Sequence, residues 1–155
     1  MLKGKTQWLG LAHTKRKNVL HGIICYFILL FAYTGGSKLI DVDPLYTSLR
    51  NTPLYFGKPL ALILSWGLPA LEIATALSLC FSKFRYTGLI SAGILIFVFI
   101  MYTGWIVIFP MQQPCSCGGI LAEMSWKQHF LFNLFSEALA LSGIYLLSPS
   151  KKLSR

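Results

Sequence analysis

The chain has 155 residues, of which 55% are hydrophobic and 12% charged, and it carries a formal net charge of +9. Soluble domains are about a quarter charged, so the composition excludes water as the solvent for most of this chain, while the length leaves room for a single domain over 1–155. The positive charge does not point to nucleic acid, because the lysines and arginines flank apolar stretches instead of lining one face, and beside membrane spans such residues set topology and meet anionic lipid.

A helix that crosses hydrocarbon needs about 20 mostly apolar residues. Four segments qualify, at about 19–40, 59–81, 86–109 and 127–147. The expected fold is all-α: an integral membrane bundle of four transmembrane helices. Lys15-Arg16-Lys17 precedes the first span as it would a signal peptide, but no small-x-small cleavage site follows. The span reads as a retained anchor that continues through Gly35 and Gly36 towards Ile40.

The first connection, 41–58, contains Asp43-Pro44, an N-cap followed by a first-turn proline. Leu45, Tyr46 and Leu49 then fall on one side at helical spacing. A short amphipathic helix lying on the membrane surface fits this pattern; the plainer reading, which is favoured, is a lid over the bundle. The second span places Glu72 three residues after Pro69, near the midplane.

Between the third and fourth spans runs Pro110-Met-Gln-Gln-Pro114-Cys115-Ser-Cys117-Gly118-Gly119, whose prolines and glycines mark a loop with defined turns. Ten lysines and arginines fall on the side of the two termini and the Lys83–Arg85 link, and four (Lys38, Arg50, Lys58, Lys127) on the other. The positive-inside rule then puts both termini in the cytoplasm and both longer loops outside.

Outside is an oxidising compartment. Cysteines one residue apart close only a very small ring, and strain makes a disulfide easier to reduce. Cys115 and Cys117 therefore suit thiol–disulfide exchange better than stapling. Cys25 and Cys80 fall towards the cytoplasmic side, on the order of 20 Å or more from that loop at 1.5 Å per helical residue, and read as plain buried apolar residues. A metal site built from Cys115, Cys117 and His129 is the rival reading, but tetrahedral sites usually take three or four protein ligands and Glu123 is a weak fourth. No metal is expected.

In the fourth span Trp126, His129, Asn133 and Glu137 recur at intervals of three and four, so all four share one helical face. His129 lies at the outer boundary and Glu137 about 12 Å deeper. Ionisable groups at membrane depth are costly and face a bundle interior, so Glu72 and Glu137 are expected to approach one another, raising the pKa of one. His129 is a candidate to tune or deprotonate a cysteine, since thiolate is the reactive form. Glu72, Glu137 and Asn133 are candidates to relay protons or bind the polar group of a small hydrophobic cofactor; the alternative is interhelical hydrogen bonding, which Asn133 favours. Trp66, Phe97, Phe99, Tyr102, Trp105 and Trp126 read as core or interfacial belt. A quinone pocket fits this aromatic density, although no residue specifies one.

The ordered set Gly35-Gly36-Ser37-Lys38-Leu39-Ile40-Asp41, Pro53-Leu54, Pro69-Ala-Leu-Glu72-Ile and Pro114-Cys115-Ser-Cys117-Gly118-Gly119, with Trp126, His129 and Asn133, resembles the MauE/DoxX family over roughly residues 20–147. More narrowly, it is similar to the redox-associated members common in Bacteroidetes. The resemblance implies a four-helix membrane bundle, a role in maturing a disulfide-rich periplasmic subunit for MauE itself, and thiol- or quinone-linked redox for DoxX relatives. It implies that Cys115 and Cys117 form the redox pair and that Lys38, Glu72 and His129 occupy recurrent polar positions. Two functions follow as expectations. One is a thiol–disulfide oxidoreductase serving a periplasmic thioredoxin-like protein or folding client. The other is a non-enzymatic accessory subunit or assembly factor of a larger membrane complex.

Overall fold

The computed structural model describes residues 3–51, 57–109 and 124–148, with side chains over 14–50, 57–109 and 124–148. Every regular element among them is helical: α1 (Lys3–Ile40), α2 (Asp43–Asn51), α3 (Lys58–Cys80), a one-turn 3-10 helix (Ser82–Phe84), α4 (Arg85–Ile108) and α5 (Trp126–Leu147). Four helical stretches are long and apolar enough to cross a membrane, Thr14–Ile40, Lys58–Cys80, Ser82–Ile108 and Trp126–Leu147. They agree with the expected spans to within a few residues at each end. The Pro114–Gly119 motif, with Cys115 and Cys117, lies outside the described residues.

Local chemistry explains the boundaries. The chain leaves α1 after Ile40, and after two intervening residues α2 begins at Asp43, with its acidic side chain in the first turn. α3 opens with Pro59, whose missing N–H costs nothing in a first turn. Inside α3, Pro69 cannot donate to the carbonyl of Ser65, a loss that membrane helices tolerate when the segment is covered by protein; Pro69 and Ser65 are both fully buried. α5 starts at a capping box. Ser125 Oγ accepts from the Gln128 backbone N–H at 3.4 Å, while Gln128 Oε1 accepts from the Ser125 N–H at 2.8 Å.

The four long helices form a ring. α1 packs mainly on α3 and α4 on α5, with α3 against α4 and α5 against α1 closing the circuit. The buried stripe of α3 (Ala61, Ser65, Pro69, Glu72, Ala76, Leu79) advances by three and four residues, as one face of a packed helix must. Towards the 3-10 turn the interior is solid: Ile23, Ile24, Phe27, Ala76, Leu79, Leu89, Ala92 and Ala140 form one apolar cluster. A Tyr26 Oη–Ser136 Oγ hydrogen bond of 2.7 Å joins α1 to α5, and Arg16 donates to the Leu146 carbonyl at 2.8 Å, tying α1 to the last turn of α5.

At the opposite end α2 covers the bundle. Leu45, Ser48 and Leu49 are buried, the two leucines against Ala61, and Leu64 packs alongside. The expected short helix is present and lies against α3 as a lid.

The expectation for Cys25 and Cys80 is corrected, since both thiols are exposed on the outside of the bundle. In α1 the buried positions with described side chains are Ile23, Ile24, Phe27, Phe31, Thr34 and Gly35, and Cys25 falls off that face. Cys80 is one residue past buried Leu79, rotated off the stripe. In a membrane bundle an apolar residue off the packed stripe faces acyl chains, so burial cannot be inferred from hydropathy.

Candidate functional site: a lidded cavity with a buried ion pair

Between the solid core and the lid the bundle is hollow. A cavity of about 450 Å³ is lined by all five α-helices, including Phe31, Thr34, Ser37 and Lys38 of α1, Leu45 and Leu49 of α2, Leu64, Leu68 and Glu72 of α3, Ile96, Phe99, Tyr102, Thr103 and Trp105 of α4, and Trp126, His129, Phe132 and Asn133 of α5. Its volume falls in the range of small-molecule sites, roughly 300–1,000 Å³.

The wall formed by α1 and α3 carries an ion pair. Lys38 Nζ donates to Glu72 Oε1 at 2.5 Å, with the Lys38 side chain 16% exposed and that of Glu72 fully buried. Their meeting follows from helix geometry. Side chains lean towards the N-terminus of their own helix, and α1 and α3 run antiparallel, so Lys38 leans down one helix as Glu72 leans up the other. Gly35 lets the helices approach. A Cβ at that position would stand 3.0 Å from Ile73 Cγ1 and 3.1 Å from Glu72 Cβ. The Lys38 ammonium also lies 5.0 Å from the centre of the Phe99 ring, within cation–π range. The other carboxylate oxygen, Glu72 Oε2, is buried and has no hydrogen-bond partner among the described residues.

The α5 wall is built from the cap upward. The capping box sets the start of the helix, and the His129 N–H donates to the Ser125 carbonyl at 3.0 Å. That fixes the first turn, from which Trp126, His129 and Asn133 enter the cavity lining. Trp126 meets Tyr102 of α4 edge to face, ring centres 6.4 Å apart, and lies 6.0 Å from the His129 ring. The hydroxyls of Thr34 and Thr103 are spent within their own helices, on the carbonyls of Leu30 and Phe99. The polar side chains of the lining include Lys38 and Glu72 on one side and Tyr102, His129 and Asn133 on the others.

Of the expected site residues, the structure brings Glu72, His129 and Asn133 to one cavity, and it adds Lys38. It separates the two acids. Glu137 lies in the α4–α5 interface, where a Cβ added to Gly93 would come within 3.8 Å of Glu137 Oε1, and it does not line the cavity. Glu72 has a lysine for a partner instead of a second carboxylate because a cation compensates a buried charge where another acid would not. Two signals for this site were present in the sequence. Lys38 stands inside the apolar run of the first span, where a lysine needs a counter-charge, and Ser125-Trp-Lys-Gln128 spells a capping box. Of the dense aromatics, Phe99, Tyr102, Trp105 and Trp126 line the cavity, whereas Trp66 and Phe97 are exposed on the outside.

The sequence model of a family described as methylamine utilisation protein MauE matches residues 16–146. No curated protein and no solved structure matches the chain.

Proposed function

The chain belongs to the MauE family, and from that premise and the lidded cavity we propose that it is a thiol–disulfide redox protein of the bacterial inner membrane. Its working pair is Cys115 and Cys117, and its partner is a periplasmic thioredoxin-like protein or folding client. The observation that carries this reading is the convergence of chemistry at one end of the bundle. α4 ends at Ile108 and α5 begins at Trp126, so the Cys-Ser-Cys segment belongs to the connection at the end where His129 and the lidded cavity lie.

The exchange balances as follows. One thiolate of the pair attacks a sulfur of the partner's disulfide, forming a mixed disulfide and expelling the partner's other sulfur as thiolate. The second cysteine then attacks the mixed disulfide, which closes the Cys115–Cys117 bond and releases the partner as a dithiol. The pair loses two electrons and two protons and the partner gains them; the reverse sequence oxidises the partner. In this scheme His129 is a positioning residue that favours the thiolate.

Trapping tests the proposal. With Cys115→Ser or Cys117→Ser, a mixed disulfide to a partner accumulates in cells and disappears under reductant. If neither variant traps a partner and the double serine variant keeps full activity, the proposal fails.

A second reading, an accessory subunit or assembly factor of a larger complex, draws on α5. That helix buries only Ser136, Ala140 and Gly143 and presents Leu131, Leu134, Phe135, Leu141 and Tyr145 outward, a face that a partner helix would cover. Purification in mild detergent separates the readings: a stoichiometric membrane partner together with cysteines that never change redox state favours the second.

A further inference from the structure

We infer that the cavity takes the head of an uncharged, hydroxyl-bearing lipid, a long-chain alcohol or a diacylglycerol, which enters sideways from the bilayer between α3 and α4. The inference goes beyond the redox reading and needs neither Cys115 nor Cys117.

The way in follows from exposure. Val98, Met101 and Trp105 recur along α4 at intervals of three and four and line the cavity, yet they are 48%, 55% and 43% exposed. A residue that both lines a hollow and faces outward stands at its mouth. All three belong to the Ser82–Ile108 span, so what they meet outside is acyl chain. α4 turns Gly93 and Gly104 towards α5, where added Cβ atoms would stand 3.8 Å from Ala140 Cβ and 3.2 Å from Phe130 Cε2. Val98 and Trp105 lie about 100° or more round the helix from both glycines, on the flank where half-buried Leu64 and Leu68 line the cavity from α3. Near the turn the same two helices are shut, since a Cβ at Gly88 would stand 2.7 Å from Ser78 Oγ. The mouth therefore belongs to the lid half of the bundle.

The ion pair sets the chemistry of the head. Glu72 is fully buried and lines the cavity, and its Oε2 has no hydrogen-bond partner among the described residues. A buried carboxylate oxygen left unpaired is costly, and a ligand that donates an O–H or N–H removes that cost. Lys38 has three N–H donors and gives one to the other oxygen of the same carboxylate, so donor and acceptor stand side by side. A hydroxyl uses both: its hydrogen goes to Glu72 Oε2 and its oxygen accepts from Lys38. Ketones, esters and ethers offer acceptors alone and leave Oε2 unpaired.

Charge sorts the remaining heads. The Lys38–Glu72 pair is neutral and sits among apolar and aromatic side chains. One more full charge there, from a phosphate or an amine, goes uncompensated. A hydroxyl adds none, and its tail leaves past Leu68 and Val98 into hydrocarbon, so only the head has to fit the hollow.

The test is photolabelling of the full chain in liposomes with hexadecanol that carries a diazirine in its chain, the adducts being mapped by mass spectrometry. Saturable labelling is expected in the segments that hold Leu64, Leu68, Val98 and Met101. A hydrogen bond to a charged group is worth about tenfold or more in affinity. Unlabelled hexadecanol should therefore compete about tenfold or more better than hexadecyl methyl ether, which lacks the donor, and than hexadecyl phosphate, which adds charge. Lys38→Met/Glu72→Met should erase the advantage of the alcohol over the ether. Val98→Trp fills the mouth from an exposed position and should remove most of the saturable labelling; it leaves the ion pair intact and keeps the test decisive if the double variant does not fold. Labelling that does not saturate, equal competition by the alcohol and either analogue, an advantage retained in the folded double variant, or unchanged labelling of Val98→Trp would overturn the inference. The readout does not involve the cysteines, so failure here leaves thiol exchange standing, and failure of the trapping experiment leaves this site standing.

Discussion

Lys38 and Glu72 show what one buried charge demands of its surroundings. Removing either partner strands the other in an apolar interior, which costs about 3–5 kcal/mol, whereas replacing both with apolar residues of similar size is often neutral. Glu72→Gln and Lys38→Met should therefore each destabilise the protein by about that amount, and Lys38→Met/Glu72→Met should recover most of the loss; unfolding in detergent followed by circular dichroism measures all three. The sequence made both residues visible and left their pairing hidden. Pairing depends on which helices are neighbours and how they lean, neither of which is written in local spacing. The same limit explains Cys25 and Cys80, since hydropathy separates membrane from water but not a packed face from one wetted by lipid.

Helices were far more legible than their contacts. The four spans and the short helix after Asp43-Pro44 follow from the lengths of apolar runs and from turn chemistry, and the structure places them within a few residues of those expectations. What spacing could not supply is how closely two helices approach. At Gly35 the α1–α3 distance leaves no room for a side chain, and Gly35→Leu should cost about 1–3 kcal/mol by overpacking while displacing Lys38 from Glu72. A lowered melting temperature is the expected result. The α5 cap acts on a smaller scale. Ser125→Ala should cost about 1 kcal/mol and loosen the turn that carries Trp126 and His129, which hydrogen–deuterium exchange at the start of α5 would register.

At the level of the whole bundle, one end is filled with side chains and the other is hollow beneath α2. Burial of Lys38 also bears on orientation. A lysine held in an interior ion pair is not a loop charge, so the loops at the α2 end keep only Arg50, Lys58 and Lys127, and the lysine and arginine bias that sets topology is steeper than a count of the sequence suggests. Lys38→Met should accordingly leave the membrane orientation unchanged, with single cysteines in the 41–58 connection labelled by impermeant maleimide from the periplasmic side in wild type and variant alike. Labelling from the cytoplasmic side would reverse the assignment.

The solid half of the bundle has a consequence for bioenergetics. Phe27, Leu79 and Leu89 are fully buried where α1, α3 and α4 pack together, and with their neighbours they fill the described interior beneath the cavity with apolar side chains. A polar group in the hollow half is thus separated from the other end of the bundle by hydrocarbon. Charge crosses such a barrier poorly, so the resting protein should hold a proton gradient in liposomes as tightly as lipid alone.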